Sequence, residues 1–187
     1  WPTIAEQLGE LAIVCREMTG NALDAEGFSW ASAEFYRVLA EAEPGTFGPQ
    51  FASALNNLAD ILNKFGFRDP DPVAVAMDSI KAYTHLTQPK PEGVAMALDT
   101  LGECLEAKGR DNEAFEAYGK GIDLLLAQFL EHPAIFQELM KDLLARYQRL
   151  ASTLGHIAVS ESVHTAAAVL QAVPPLVDKQ PRHTSEG

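Results

Sequence analysis

Chemistry needs side chains that can ligate a metal, attack a substrate or move a proton, at spacings that bring them together. The five histidines are His85, His132, His156, His164 and His183. No two stand at the i, i+4 spacing of a helical metal pair, and none has a Cys or carboxylate at ligand spacing. His156 and His164 lie about two helical turns apart, on one face at most. Cys15 and Cys104 make neither a zinc cluster nor a disulfide framework, and read as small buried residues of a reduced compartment. There is no Gly-x-Ser-x-Gly elbow, no phosphate-cradling glycine loop and no dinucleotide fingerprint. Carboxylate pairs such as Glu103/Glu106 and Glu113/Glu116 have helix-face spacing. A catalytic acid needs a closed pocket to raise its pKa, and nothing in the pattern predicts one. The expectation is a protein without enzymatic activity, metal or cofactor.

Charge narrows the partners. Fourteen basic and 26 acidic side chains give a net −12. Such a surface repels phosphate backbones and anionic headgroups, so nucleic acid and membrane are not expected partners. The acid is uneven: residues 1–44 hold eight acidic and two basic side chains, and residues 91–131 nine and three. Apolar residues are 47% of the chain, an ordinary globular share. The densest apolar stretch, Gly121 to Leu130, is interrupted by Asp123 and Gln128 and falls short of a membrane span. Glu6 and Glu10 stand where a signal peptide would be basic and then apolar. A cytoplasmic location is therefore expected. The first residue is Trp rather than Met, which suggests a piece of a longer protein.

The elements that must position any site are helices. Apolar residues recur at three and four between short breaks of Gly or Pro, and strand alternation is nearly absent. The spacing predicts eight helices: 3–25, 29–43, 49–65, 72–88, 92–107, 112–131, 133–154 and 156–172. Ser29, Asp111 and Asp71 are expected N-caps, the last followed by Pro72 at the first helical position. Residues 1–172 form the expected domain, and 173–187 a mobile tail.

The helices repeat. Leu58, Ala59, Leu62 and Gly66 lie over Leu101, Gly102, Leu105 and Gly109, an offset of 43. Gly20, Leu23 and Gly27 share the frame, followed by Ser32, Tyr36 and Pro44; Gly155 closes a fourth copy. In the third copy Leu98, Leu101, Gly102, Leu105, Gly109, Ala114, Tyr118 and Gly121 complete the pattern. This resembles the tetratricopeptide repeat family, in the longer form similar to the repeats of kinesin light chains; Asn56 and Asn57 in Ala-Leu-Asn-Asn-Leu-Ala add to the likeness. The resemblance implies an all-α, right-handed superhelical solenoid of about four antiparallel helix pairs, roughly 3–44, 47–90, 91–131 and 132–172. Neighbouring pairs must stack to bury their apolar faces.

The family binds peptides along the concave face made by the first helix of each pair. Carried onto this frame, the first helix offers Glu17, Asn21 and Asp24, and the third Ser53, Asn56, Asn57, Asp60 and Asn63. The fifth offers Met96, Asp99, Thr100, Glu103 and Glu106, and the seventh Arg146, Arg149 and Ser152. The resemblance implies that Asn57 clamps a peptide backbone, since one amide both donates and accepts; the alternative is that Asn56 and Asn57 merely solvate a helix face. Asp24, Asp60, Asp99, Glu103 and Glu106 would make the groove acidic and favour a Lys/Arg-bearing segment. Arg146 and Arg149 either pair internally with Glu103 or Asp99, or take a ligand carboxylate. The first three groove helices offer Lys64 as their one cation, too little to grip a C-terminal carboxylate as chaperone-tail binders do. The last helix puts Val159, Val163, Ala166, Leu170 and Val173 on one stripe, suited to a cap or to a second copy. The resulting expectation is a protein–protein interaction module. The alternatives are a self-associating scaffold and a regulatory region of a larger protein.

Overall fold

The computed structural model describes residues 1–17, 21–155 and 160–173. Thr19, Gly20, His156, Val159, His183 and the expected tail from 174 onward lie outside the described residues. The rest is helical: α1 (Pro2–Glu17), α2 (Ala22–Ala42), α3 (Pro44–Phe65), α4 (Pro72–Thr84), α5 (Pro91–Glu106), α6 (Asp111–Glu131), α7 (Pro133–Leu154) and α8 (Glu161–Ala172). No strand occurs among the described residues.

Local chemistry sets most boundaries. Asp71 caps α4, its carboxylate accepting from the Val73 amide at 3.0 Å, with Pro72 next. Pro44, Pro91 and Pro133 open α3, α5 and α7 the same way. Gly66 and Gly155 close α3 and α7 in the left-handed conformation that glycine adopts at no steric cost. Ser160 caps α8 by accepting from the Val163 amide.

Several expected boundaries are corrected. The first helix ends at Glu17 rather than 25, and α2 begins at Ala22. Ser29 is therefore no cap: it is buried inside α2, and Gly27 lies within the same helix rather than in a turn. Asp111 is the first residue of α6, with Arg110 at the cap position. α3 starts five residues before the expected 49 and runs through Pro49. Pro49 lacks an N–H for the carbonyl of Gly45, four residues back. Gly45 is exposed with open space around it, so that carbonyl can face water.

Successive helices pack on one another, with α1 running opposite to α2 and α6 opposite to α7. Trp1, just before α1, and Ala5 of α1 meet Phe35 and Ser32 of α2. Ala52 of α3 meets Ser79 of α4, and Glu92 of α5 meets Gln128 of α6. Gly121 of α6 faces Leu143 of α7. Beyond these neighbours, α1 also packs on α3, α3 on α5 and α6 on α8. The largest core runs through α5–α8, with Tyr118, Ile122, Leu125, Phe129, Met140 and Leu143 fully enclosed. Val163 and Ala166 plug α8 into that core, while Leu170 packs against its edge. In contrast, α1 buries only Ala5 and Ala12.

One repeat went unread in the sequence. Ser32 Oγ donates to the Ala5 carbonyl and Ser79 Oγ to the Ala52 carbonyl, both at 2.8 Å and both across 27 residues. Tyr36 and Tyr83 each follow four residues later. Its sequence signal is an offset of 47, distinct from the 43 that relates Leu58 to Leu101.

Candidate functional site

The odd-numbered helices bring several of the expected site residues together. Asp60 and Asn63 on α3, Glu103 and Glu106 on α5, and Arg146 and Arg149 on α7 line a cleft of about 420 Å³, with Lys64 at its edge. Each pair is three residues apart, so its two members share one helix face.

The charges of this cleft are paired across helices. Arg146 forks between Asp99 and Glu103, donating to both. Arg149 reaches Glu106 at 2.5 Å, and the Tyr118 hydroxyl donates to the same carboxylate at 2.6 Å. Arg16, at the end of α1, donates to Asp60 and to Glu17. Of the two outcomes open for Arg146, the internal pair is the one present. Arg16 was missed as a groove cation because the repeat frame placed it at an apolar position; with α1 ending at Glu17, it reaches α3 instead.

Burial governs how these groups titrate. It pushes the Asp99 carboxyl above the usual range, and the Arg146 contact offsets only part of that cost. Burial likewise raises Glu103, with Asp99, Asp60 and Glu106 adding like-charge repulsion against the help of Arg146. Burial pulls the Arg146 guanidinium down, but the bond to Asp99 and the two carboxylate charges outweigh it and hold it firmly charged. The Tyr118 hydroxyl is raised by burial and by its bond to Glu106. Cys104 is fully buried, and its thiol is pushed up to about 12, which removes it from thiolate chemistry at neutral pH. Neither cysteine forms a disulfide.

A second cleft opens between α1, α2 and α3. Ser53 and Asn57 line it with Gln50, facing Glu6 and Glu10 across Ile13, and Ser32 and Tyr36 form its floor. Glu6 and Glu10 are exposed, and no cation among the described residues forms an ion pair with either. Burial and the Glu6 charge raise the Tyr36 hydroxyl.

The remaining expected residues fall elsewhere. Asn21 stands at the N-cap of α2 and Asp24 in its first turn, so neither is on the first helix. The physical reason is the early end of α1; Asp24 instead complements the positive end of the α2 dipole. Asn56 is buried, and its Oδ1 has no protein partner; Asp99 Oδ1 is in the same state. Thr100 is buried, Met96 is exposed, and Ser152 returns a bond to its own helix at Gln148.

Among the described residues no group of three His, Cys, Asp or Glu side chains is placed to hold a metal ion, and no helix is long and apolar enough to cross a membrane. The chain matches no protein-family model and no curated protein.

Proposed function

We propose that the chain is a tetratricopeptide-like solenoid of helix pairs that binds an extended, Lys/Arg-bearing segment of another protein, without chemistry of its own. The opposite run of α1 and α2 and of α6 and α7, and the packing of α1 on α3 and α3 on α5, support that architecture. The observation that carries the binding reading is the α1–α2–α3 cleft. It sets a half-buried amide, Asn57, beside two exposed carboxylates that no described cation neutralises.

The geometry divides the work. A side-chain amide can donate to a peptide carbonyl and accept from the next N–H, which reads main chain irrespective of sequence. Glu6 and Glu10 then supply the preference for a cation. The central cleft contributes less selectivity, because Asp60, Glu103 and Glu106 already face Arg16, Arg146 and Arg149. A ligand cation there would compete with an internal one. The acidic preference is therefore assigned to the α1–α3 end.

Calorimetric titration tests this with an extended Lys/Arg peptide and its Asp/Glu counterpart. The basic peptide should bind more tightly and weaken with added salt. Asn57→Ala should lower its affinity about tenfold, or about 1.4 kcal/mol, with no change in melting temperature. Equal binding of the two peptides would sink the reading.

A further inference from the structure

The repeat shows why the α1–α2–α3 cleft is open. Between α4 and α5 the matching place is closed. Tyr83 lies on Gly93, where a Cβ would stand 2.4 Å from the ring, and is only 7% exposed. Gln50 stands 43 residues before Gly93, so α3 offers Tyr36 a side chain instead of bare backbone to lie on. Tyr36 stays half-buried, and it lines the cleft together with Gln50. On the α1 side, Gly9 stands 47 residues before Asn56, which is buried. The first copy thus has no side chain where the second has an amide. The result is a hollow of about 200 Å³ with an aromatic floor.

The longer side chains around that floor offer acceptor oxygens. Glu6 and Glu10 are one turn apart on α1, and Gln50 and Asn57 two turns apart on α3. No Lys or Arg lines the hollow, and Ile13 and Ala54 give it apolar surface. An ammonium is a strongly hydrated point charge, and its pairing with exposed carboxylates is worth little. A guanidinium is planar, more weakly hydrated and carries five donors in its plane. It can lie on an aromatic ring and still donate to acceptors on several sides. Its methylene stem suits Ile13 and Ala54.

We infer that the cleft is an arginine pocket: it takes the guanidinium of one arginine of the bound segment over Tyr36, between the carboxylates of α1 and the amides of α3. This rests on the reading of the cleft as the peptide site, and narrows its Lys/Arg preference to arginine. The ring supplies the discrimination, while Glu6 and Glu10 supply an attraction that any cation shares.

Calorimetric titration of the full chain with four extended peptides tests this. They share an uncharged sequence and differ at one central residue: arginine, lysine, glutamate, or citrulline, the uncharged isostere of arginine. The arginine peptide should bind about tenfold more tightly than the lysine peptide, and the citrulline and glutamate peptides more weakly than either. Tyr36→Leu should bring the arginine and lysine peptides to equal affinity, and Glu10→Gln should weaken both. Should Tyr36→Leu lose its helical circular dichroism, Gln50→Gly gives the Tyr36 ring the seat that Tyr83 has on Gly93, and should erase the arginine preference instead. Arginine and lysine peptides that bind equally, both above the glutamate peptide, overturn the arginine pocket and leave the basic-segment reading standing. Citrulline binding as tightly as arginine, or an arginine preference that survives the loss of the Tyr36 ring, also overturns the pocket. Glutamate binding as tightly as arginine, or no binding by any of the four, overturns the pocket and the basic-segment reading together.

Discussion

Arg146 determines what the centre of the odd-numbered helices presents. It leaves α7 only 27% exposed and neutralises two carboxylates of α5 at once. Removing one member of such a buried set leaves the others uncompensated. Arg146→Met should therefore destabilise the fold by about 2–3 kcal/mol in chemical denaturation. Asp99 behaves differently. Its folded pKa is raised, so the charged form costs stability at neutral pH, and that cost fades as pH falls through the folded pKa toward the ordinary value near 4. Asp142, Asp60 and Arg146 all act on this carboxyl. Asp99→Asn lacks the titration. Its melting temperature should exceed that of the parent at neutral pH, and the gap should close on acidification. A gap that widens as pH falls would contradict the burial account. Helical spacing was enough to place Asp99, Glu103 and Glu106 on one face. Their partners lie 43 and 47 residues away, a relation fixed by how α7 lies against α5 and visible to no local pattern.

Between elements, glycine sets how closely helices approach. A Cβ on Gly102 would stand 2.3 Å from the Tyr118 ring, which is fully buried and tied to Glu106. Gly102→Ala gains about 1 kcal/mol of helix propensity but must displace that ring, at about 1–3 kcal/mol. Net destabilisation of up to about 2 kcal/mol is expected in thermal or urea unfolding. Gly27, in open space inside α2, is the control: Gly27→Ala should stabilise by about 0.5–1 kcal/mol. The same two glycines show what was legible. Gly102 and Tyr118 were readable as a small and a large member of one repeat copy, but that the ring stands on the glycine is seen only in the structure. Gly27 misled, since Gly20-x2-Leu23-x3-Gly27 imitates the frame although Leu23 is 74% exposed. The true register of α1 on α2 is set by the Ser32–Ala5 bond and the Trp1–Phe35 stack, contacts that no sequence window spans. Ends governed by local chemistry, at Asp71-Pro72, Gly66 and Gly155, were read correctly because caps and left-handed glycines act within a few residues.

At the scale of the molecule, the net −12 becomes a distribution rather than a field. In the middle, Arg16, Arg146 and Arg149 answer the acids; at the α1–α3 end, Glu6 and Glu10 remain without a described counter-ion beside Asn57. The first and last helices also differ in what they leave exposed. α8 seats Val163 and Ala166 in the main core, whereas α1 leaves Ile4, Leu11, Ile13 and Val14 exposed. The charged cleft thus lies at the end that leaves the larger apolar side chains exposed. The central claim is that a basic extended segment lies in the α1–α2–α3 cleft. Amide chemical-shift mapping during titration with a Lys/Arg peptide measures this directly. The account predicts saturable shifts at Glu6, Glu10, Ser53 and Asn57, with smaller ones at Asp60 and Asn63. Shifts confined to other faces, or none at saturating peptide, would contradict it.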